Sequence, residues 1–272
     1  TVLQEIFGIK RLPSQSTYSR FFHKFDWEKN EEIFASLQQK FLSHVDVGAL
    51  TIDLDSTVIT RYGNQEGAKK GYNPKKMGRN SHHPLIAFIS QTKMVANAWM
   101  RAGNTSDLNN YDAFLNETFD VALKDKEIGL VRADSGFYSN NFLKWFENRD
   151  LNYIIAVKFY ENIKYQIGAI ERWVKITDGL DVCNLYFKPD NGEKRRYIIV
   201  RKKVENYPNS GGKLLFDEPT YRYSAYVTNL SLPVDQIYNI YNTRADCENR
   251  IKELKYDFGA DNFCLKEFYA TE

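Results

Sequence analysis

The order of strand-like and helix-like segments between residues 48 and 160 constrains the fold most. A strand pattern at 48–57, "GALTIDLDST", precedes two apolar segments, "HPLIAFIS" and "MVANAWMRA", which three residues at 91–93 separate as in a hairpin. Next come an amphipathic helix with Asp107 as its cap, a buried strand "EIGLVRADSG", a helix "SNNFLKWFENRD" capped by Ser139, and a strand "NYIIAVKF". This order predicts a mixed α/β sheet flanked by helices.

The segments on either side have different patterns. Residues 17–45 carry Phe and Leu at helical spacing, which predicts one or two helices with Ser16 or Thr17 as N-cap. A short helix around 161–170 and four strand-like pieces, which we expect to be antiparallel, precede a final helix that starts near Val234. The predicted division is a helical N-terminal segment at 1–47, a mixed-sheet domain formed by 48–160 and 230–272, and a β-rich insertion at 161–229.

Composition excludes several classes of protein. A chain of 272 residues with 43% hydrophobic and 15% aromatic residues can bury a sizeable core, which argues against disorder. The three cysteines are widely spaced without a C-x-x-C pair, so a disulfide framework or zinc site is not expected and a reduced cytosolic setting is. No apolar run has the length of a membrane span, and no signal peptide is visible. The chain begins at Thr1 and not at Met, so we expect a fragment of a longer protein.

Carboxylates stand at the ends of two predicted strands. In "LTIDLDST", Asp53 and Asp55 face the same side of the strand, opposite to Ile52 and Leu54. Two carboxylates on one face need a positive charge nearby, such as a metal ion, or a strand end open to water. In "LVRADSG", Asp134 ends a buried strand, either as an Asx-type turn or as a ligand group at the sheet edge.

A third carboxylate lies in the predicted final helix, in "YNTRADCENRIKELK" at 241–255. On one continuous helix, Tyr241, Arg244, Glu248 and Lys255 fall within a stripe of about 60° that borders the apolar face. One interpretation is an ordinary Arg244–Glu248 pair at i,i+4. The other brings Glu248 to the two strand-end aspartates, and three carboxylates can hold two Mg²⁺ or Mn²⁺ ions about 4 Å apart, as in phosphodiester cleavage and transfer.

The spacing Y-x2-R-x3-E-x6-K resembles the Y-R-E-K signature of bacterial insertion-sequence transposases, which are DDE enzymes with a ribonuclease-H-like catalytic domain. "LDST" resembles the first catalytic block of this group and assigns Asp55, not Asp53. "ADSGF" resembles the second block and assigns Asp134. "RAGNTSD" at 101–107 and "LPSQSTYSRF" at 12–21 are also similar to segments of these transposases.

The resemblance implies a fold, an activity and partners. The fold is a ribonuclease-H-like mixed sheet flanked by helices, with a β-rich insertion before the last catalytic helix. Asp55, Asp134 and Glu248 are the implied catalytic residues and ligands of two Mg²⁺ or Mn²⁺ ions. The implied activity is metal-dependent DNA strand cleavage and strand transfer at insertion-sequence ends. The implied partners are double-stranded DNA, as transposon ends and target, and a second copy of the chain in the DNA complex. No membrane partner is implied, and the implied location is the bacterial cytoplasm.

Cations supply the predicted DNA contacts. The resemblance implies that Tyr241, Arg244 and Lys255 contact DNA near the cleaved end. A predicted long loop, "GNQEGAKKGYNPKKMGRN", has no acid from 67 to 80 and contains Lys69, Lys70, Lys75, Lys76 and Arg79. A second basic cluster comprises Lys194, Arg195, Arg196, Arg201, Lys202 and Lys203. Either cluster could neutralise phosphates, and the alternative is ordinary solvated lysines.

Two other interpretations remain open from the sequence. One is a DNA-binding protein that derives from a transposase and no longer catalyses a reaction. The complete set of three acids argues against this interpretation. The other is a different carboxylate enzyme, such as a glycosidase with paired acids. The Arg and Lys that flank Glu248 fit a phosphate better than a sugar. His82 and His83 are expected to be structural, because adjacent strand residues face opposite sides.

Overall fold

A computed structural model describes residues 5–6, 8, 10–189, 192–204, 220–262 and 265–272. The strands in these ranges are β1 (Leu50–Ser56), β2 (Ile59–Thr60), β3 (Lys69–Lys70), β4 (Asn80–His82), β5 (Leu85–Ile89), β6 (Val95–Trp99), β7 (Ile128–Ala133), β8 (Tyr153–Ala156), β9 (Val174–Thr177), β10 (Leu180–Phe187), β11 (Arg195–Val204) and β12 (Thr220–Thr228). The helices are α1 (Gln15–Phe22), α2 (Trp27–Leu42), α3 (Tyr111–Asn116), α4 (Asn140–Glu147), α5 (Glu161–Gly168), α6 (Val234–Asn242), α7 (Ala245–Tyr256) and α8 (Phe268–Thr271).

Nine of these strands form one mixed sheet in the order β6-β5-β1-β7-β8-β12-β11-β10-β9. β1 pairs in parallel with β7 and antiparallel with β5, and β7 pairs in parallel with β8. The predicted hairpin is confirmed as β5 and β6, with Lys93 in the left-handed region at φ 63° in the connection. The predicted fold class, a mixed α/β sheet flanked by helices, is therefore confirmed.

The four strands β9 to β12 are antiparallel to their neighbours, as the sequence predicted. They do not form a sheet of their own, because β12 pairs with β8 and continues the sheet that contains β1. The division into an N-terminal segment, a catalytic domain and an insertion stays a prediction. Within the predicted insertion at 161–229, residues 190–191 and 205–219 lie outside the described residues, as does Cys264 further along the chain.

The helix starts follow capping chemistry. The Ser14 side chain accepts from the Thr17 N–H, so Ser14 caps α1, and the prediction of Ser16 or Thr17 is wrong by two or three positions. Ser139 caps α4 as predicted, by accepting from the N–H of Phe142. Asp107 caps no helix, because α3 begins after Asn110, which adopts a left-handed conformation. The segment Glu117–Ala122 continues α3 as a π-helix.

The core lies on both faces of the large sheet. Ile52 and Leu54 of β1 are fully buried in a cluster that includes Phe142 and Phe146 of α4. A smaller cluster on strands β7 to β12 buries Ile237 of α6. Each such side chain contributes about 1.5–3 kcal/mol by leaving water. This packing fixes β1 and β7 as the rigid elements from which the strand-end acids project.

Two sequence predictions near the site are wrong in detail. The segment predicted as one long loop contains β3 and leads into β4, which join β2 in a second sheet of order β2-β4-β3. The predicted final helix is two helices, α6 and α7. At the junction, the N–H of Arg244 donates to the Tyr241 carbonyl at 2.9 Å, and that of Cys247 to the Arg244 carbonyl at 2.8 Å. These bonds span three residues instead of four, which ends one α-helix before the next begins.

None of the helices in the described ranges has the length and apolar character needed to cross a membrane.

Candidate active site

The two strand-end aspartates lie at the same edge of the large sheet. β1 and β7 are parallel neighbours with Leu54 opposite Ala133, so the next residues, Asp55 and Asp134, lie at the same level. The Asp55 Oδ1 atom accepts from the N–H of Ser56 at 2.8 Å. Asp134 accepts from the N–H of Gly136 at 2.8 Å, so the Asx-type turn considered from the sequence is present. This turn holds the carboxylate at the sheet edge.

Asp55, Asp134 and Glu248 line one pocket of about 420 Å³. Glu248 is exposed on α7, and among the described residues it has no hydrogen-bond or ion-pair partner. The pocket is also lined by His83 and Asp107. The structure therefore brings the three sequence-predicted acids to one place from β1, from the end of β7 and from α7.

The electrostatics of the pocket differ between its acids. The pKa of Asp55 is raised to about 6, chiefly by burial; the charge of Arg244 opposes this rise, and the carboxylates of Asp134 and Glu248 contribute to it. Burial also raises the pKa of Asp134; Arg244 opposes this rise, and Asp107 adds to it. Burial is the main cause of both shifts, and repulsion between neighbouring carboxylates adds to it, a combination that is common at functional sites.

Asp53, the other acid of "DLD", does not line the pocket. Its two oxygens accept from Nε and Nη2 of Arg132 at 2.6 and 2.7 Å. Both side chains are almost completely buried. Burial raises the pKa of Asp53, and the hydrogen bonds and charge of Arg132 lower it. Asp53 is thus neutralised by a buried cation within the protein.

Arg244 is bound inside the protein. It is 5% exposed, and its Nη2 donates to the Leu54 carbonyl at 2.9 Å and lies 3.1 Å from Oδ2 of Asp55. The Arg244–Glu248 pair considered from the sequence is not what the structure shows, because the partner of Arg244 is Asp55. A DNA contact by Arg244 stays a prediction and requires the guanidinium to leave these partners.

The other two residues of the signature also contact the protein. The Tyr241 hydroxyl donates to the Ala133 carbonyl at 3.1 Å, and its ring packs on Tyr226 with centroids 4.2 Å apart. Nζ of Lys255 donates to the Val58 carbonyl at 2.8 Å. Burial lowers the pKa of Lys255, and the charge of Lys75 lowers it further. Their predicted contacts with DNA remain untested.

His83 and Asp107 are among the pocket residues that were not predicted as site residues. His83 contacts the Thr105 carbonyl through Nδ1 at 2.7 Å and the Ser56 hydroxyl through Nε2 at 3.1 Å. The Asp107 Oδ1 atom lies 3.6 Å from His83 Nε2. A Cβ on Gly136 would lie 2.1 Å from Asp107 Oδ2 and 3.0 Å from Asp134 Oδ1, so only glycine lets both carboxylates approach here. The sequence signals were the "RAGNTSD" and "ADSGF" segments.

The two adjacent histidines do face different surroundings, as expected for strand neighbours. His82 is fully buried, accepts from Nε of Arg61 at 3.1 Å, and contacts the Glu66 carbonyl through Nε2 at 2.9 Å. Burial lowers the pKa of His82. Only His83 of the pair lines the acidic pocket.

The donor set fits a divalent ion in its chemistry. Carboxylate oxygens are the ligands that Mg²⁺ and Mn²⁺ prefer. In the part of the chain that the structure describes, no three His, Cys, Asp or Glu side chains are grouped closely enough to hold one ion. An ion held jointly by Asp55, Asp134 and Glu248 therefore requires side-chain rotation, and Arg244 has to share or release Asp55.

The first basic cluster lies beside the pocket. All five of its cations are exposed, and Lys75 lines the pocket itself. Nζ of Lys75 lies 2.9 Å from the Tyr256 hydroxyl, and the Arg79 guanidinium lies over the Tyr62 ring at 5.6 Å. This arrangement leaves the positive charges open to a ligand.

The second basic cluster is partly used within the protein. Arg195 binds Glu147 through two nitrogens at 2.6 and 2.8 Å, and Arg201 donates to Asp181 at 2.8 Å. Arg196 donates to the Leu230 carbonyl at 2.6 Å. Its three arginines, all in β11, therefore have partners within the protein.

Comparisons with known proteins bear on the family. No curated protein matches the chain. Among solved structures, the piggyBac transposase in a cryo-EM synaptic complex with hairpin DNA is similar over 81% of this chain, with 13% identity and a TM-score of 0.48. This chain spans 42% of the length of that chain. The family model for transposase DDE domain group 1 matches residues 1–272, and the chain therefore belongs to this family of transposase DDE domains.

Proposed function

We propose that this chain catalyses metal-dependent DNA strand cleavage and strand transfer during DNA transposition, at the ends of a bacterial insertion sequence. The observation that carries the proposal is the single pocket lined by Asp55, Asp134 and Glu248 in a chain of the transposase DDE family. The proposed substrate is double-stranded DNA, both as transposon end and as target. A second copy of the chain is the proposed partner in the DNA complex.

The three acids are the proposed ligands of two Mg²⁺ or Mn²⁺ ions. Such ions, when bound, activate water and stabilise the attacking and leaving oxygens of a phosphodiester. The protein contributes the fixed origins of the ligands, because Asp55 and Asp134 project from paired parallel strands. Ionisation of Asp55 with a pKa of about 6 makes its carboxylate available near neutral pH.

The cations are the proposed phosphate contacts. Lys69, Lys70, Lys75, Lys76 and Arg79 form an exposed positive surface beside the acidic pocket. Cations at such a surface release counterions from DNA and hold the backbone in register. Tyr241, Arg244 and Lys255 are proposed to contact DNA near the cleaved end, which requires them to exchange their contacts within the protein for contacts with DNA.

The test is cleavage of supercoiled plasmid DNA in Mn²⁺ by Glu248→Gln. We expect a rate more than about 100-fold below wild type, because even residues that only orient metal ligands contribute 10–100-fold. Glu253→Gln is the matched control, since Glu253 is on the same helix and does not line the pocket. Circular dichroism checks that both variants are folded.

Equal cleavage by Glu248→Gln and wild type would contradict the proposal. A wild-type chain that binds plasmid DNA, takes up no Mn²⁺ and cleaves nothing would instead identify a DNA-binding protein derived from a transposase.

A further inference from the structure

Arg132 uses all of its N–H groups inside the protein. The residue is 1% exposed and lies next to the last position of β7. A guanidinium has five N–H donors. Nε and one N–H of Nη2 donate to Asp53, and the other N–H of Nη2 donates to the Ser90 hydroxyl at 3.0 Å. Nη1 donates to the Ile240 carbonyl at 2.5 Å and to the Thr243 hydroxyl.

The last two bonds lie at the junction of α6 and α7. In a continuous α-helix the Ile240 carbonyl would accept from the N–H of Arg244. Here it accepts from Arg132 and from the Thr243 hydroxyl, the latter at 2.8 Å, while the Arg244 N–H donates to Tyr241 instead. The Ile240 carbonyl, in the last turn of α6, therefore accepts a hydrogen bond from a side chain of the large sheet instead of one from the next helical turn.

The break has consequences for the acidic pocket. It turns Arg244 toward Leu54 and Asp55, and it starts α7, on which Glu248 lies. The adjacent, apolar side of α7 packs through Cys247 and Ile251 on apolar residues of β5. Arg132 thus ties Asp53, two residues before Asp55, to the junction four to eight residues before Glu248.

A stability role alone explains this arrangement poorly. Burying two charges costs several kcal/mol per ion, and such pairs are on average weak sources of net stability. A fully hydrogen-bonded guanidinium with planar geometry is, however, a rigid connector between elements.

We propose that Arg132 is a positioning residue that ends α6, sets the direction of α7, and so holds Glu248 opposite Asp55 and Asp134. Its effect on the reaction rests on the proposed function; its effect on the junction does not. Nothing in the chemistry of Arg132 requires contact with DNA or metal, because its side chain is closed off from the pocket.

The test compares Arg132→Lys with Arg195→Lys. Arg195 is a matched control, because it is 6% exposed and also binds a carboxylate through two nitrogens, but it lies in β11 away from the junction. Hydrogen exchange of amides 240–248 and Mn²⁺ affinity by calorimetry are measured on both folded variants. We expect Arg132→Lys to accelerate exchange at 240–248 and to weaken Mn²⁺ binding by about 10–100-fold. Arg195→Lys should leave both near wild type.

A second pair of variants covers the case in which Arg132→Lys does not fold. Thr243 is exposed, so its substitution is tolerated by the core. Thr243→Val keeps the shape and removes the hydroxyl, whereas Thr243→Ser keeps the hydroxyl. We expect faster exchange at 240–248 in the valine variant and rescue by serine.

The outcomes separate this inference from the proposed function. If the junction variants show the same exchange and Mn²⁺ affinity as their controls, the inference is overturned while wild-type cleavage still supports the function. If wild type binds no Mn²⁺ and cleaves no DNA, the proposed function fails, and the exchange data alone support or overturn the role of Arg132.

Discussion

At the scale of single residues, the two acids of "DLD" have different partners although they share a strand face. Asp53 is held by Arg132, and Asp55 lies between Arg244 and the acidic pocket. Strand alternation in the sequence predicted the shared face. It could not predict which acid is free to bind a ligand, because both arginines are distant in the chain. The family resemblance implies Asp55, which stays a prediction; in the structure Asp55 lines the pocket and Asp53 does not.

Burial of Asp55 predicts a pH dependence of stability. The folded chain favours protonated Asp55, with a pKa of about 6 against an ordinary 3.8, so between these values it binds more protons than the unfolded chain. Wild-type stability should therefore fall as the pH rises through this window, and Asp55→Asn should lack this contribution. From pH 4 to pH 7 the free energy of unfolding of Asp55→Asn, relative to wild type, should rise by about 2.4 kcal/mol, for a pKa of 3.8 in the unfolded chain and about 6 in the folded one.

Urea unfolding of both proteins in EDTA at several pH values measures this difference. A difference that stays constant from pH 4 to pH 7 would show that Asp55 ionises in the folded chain as readily as in the unfolded one.

At the scale of elements, local patterns predicted most strands and helices, and contacts between distant segments decided the rest. The hairpin of β5 and β6 and the Ser139 cap follow from residues that are neighbours in sequence. The break after α6 does not, because 241–250 contains neither Gly nor Pro and the carbonyl involved is taken by Arg132 from β7. β3 was also missed, since Lys69-Lys70 has no apolar pattern and becomes a strand only by pairing with β4.

Gly103 predicts how the small sheet is attached. A Cβ at this position would lie 2.1 Å from the Ser81 carbonyl oxygen and 2.4 Å from that of Lys69, so the backbones of β4 and β3 pack directly on it. Gly103→Ala should push these strands away and destabilise the protein by about 1–3 kcal/mol. It should also weaken plasmid binding, because Lys69 and Lys70 move with β3. Gly48→Ala is the control, as a Cβ there would meet nothing within 4 Å.

Urea unfolding and plasmid binding are compared for the two glycine variants. If Gly103→Ala is as stable as Gly48→Ala and binds plasmid DNA equally well, the small sheet is not held at Gly103.

At the scale of the whole molecule, the large sheet combines two regions with different uses of charge. β1 and β7 end at the acidic pocket, next to the small sheet with its exposed cations. β10 and β11 extend the other side, where arginines bind acids and carbonyls of the protein. The net charge of +2 hides this division, because it sums over both regions. The sequence could not show that the arginines of the second cluster are used within the protein, since partners such as Glu147 are distant in the chain.

Two lysine pairs on strands test which region binds DNA. Lys69-Lys70 forms β3, which pairs with β4, and His83 immediately after β4 lines the acidic pocket. Lys202-Lys203 is equally exposed, on β11. Because each lysine on a phosphate releases counterions, Lys69→Gln with Lys70→Gln should reduce the slope of log K against log salt by about 0.9 for each phosphate that is no longer neutralised. Lys202→Gln with Lys203→Gln should leave the slope unchanged.

Plasmid binding is measured between about 50 and 200 mM salt, because neutralised phosphates change the affinity by orders of magnitude over this range. The slopes of the two double variants then show which lysine pair contacts DNA. The reverse result would move the DNA to the insertion strands, away from the three acids, and would leave the pocket without the phosphate that its proposed chemistry requires.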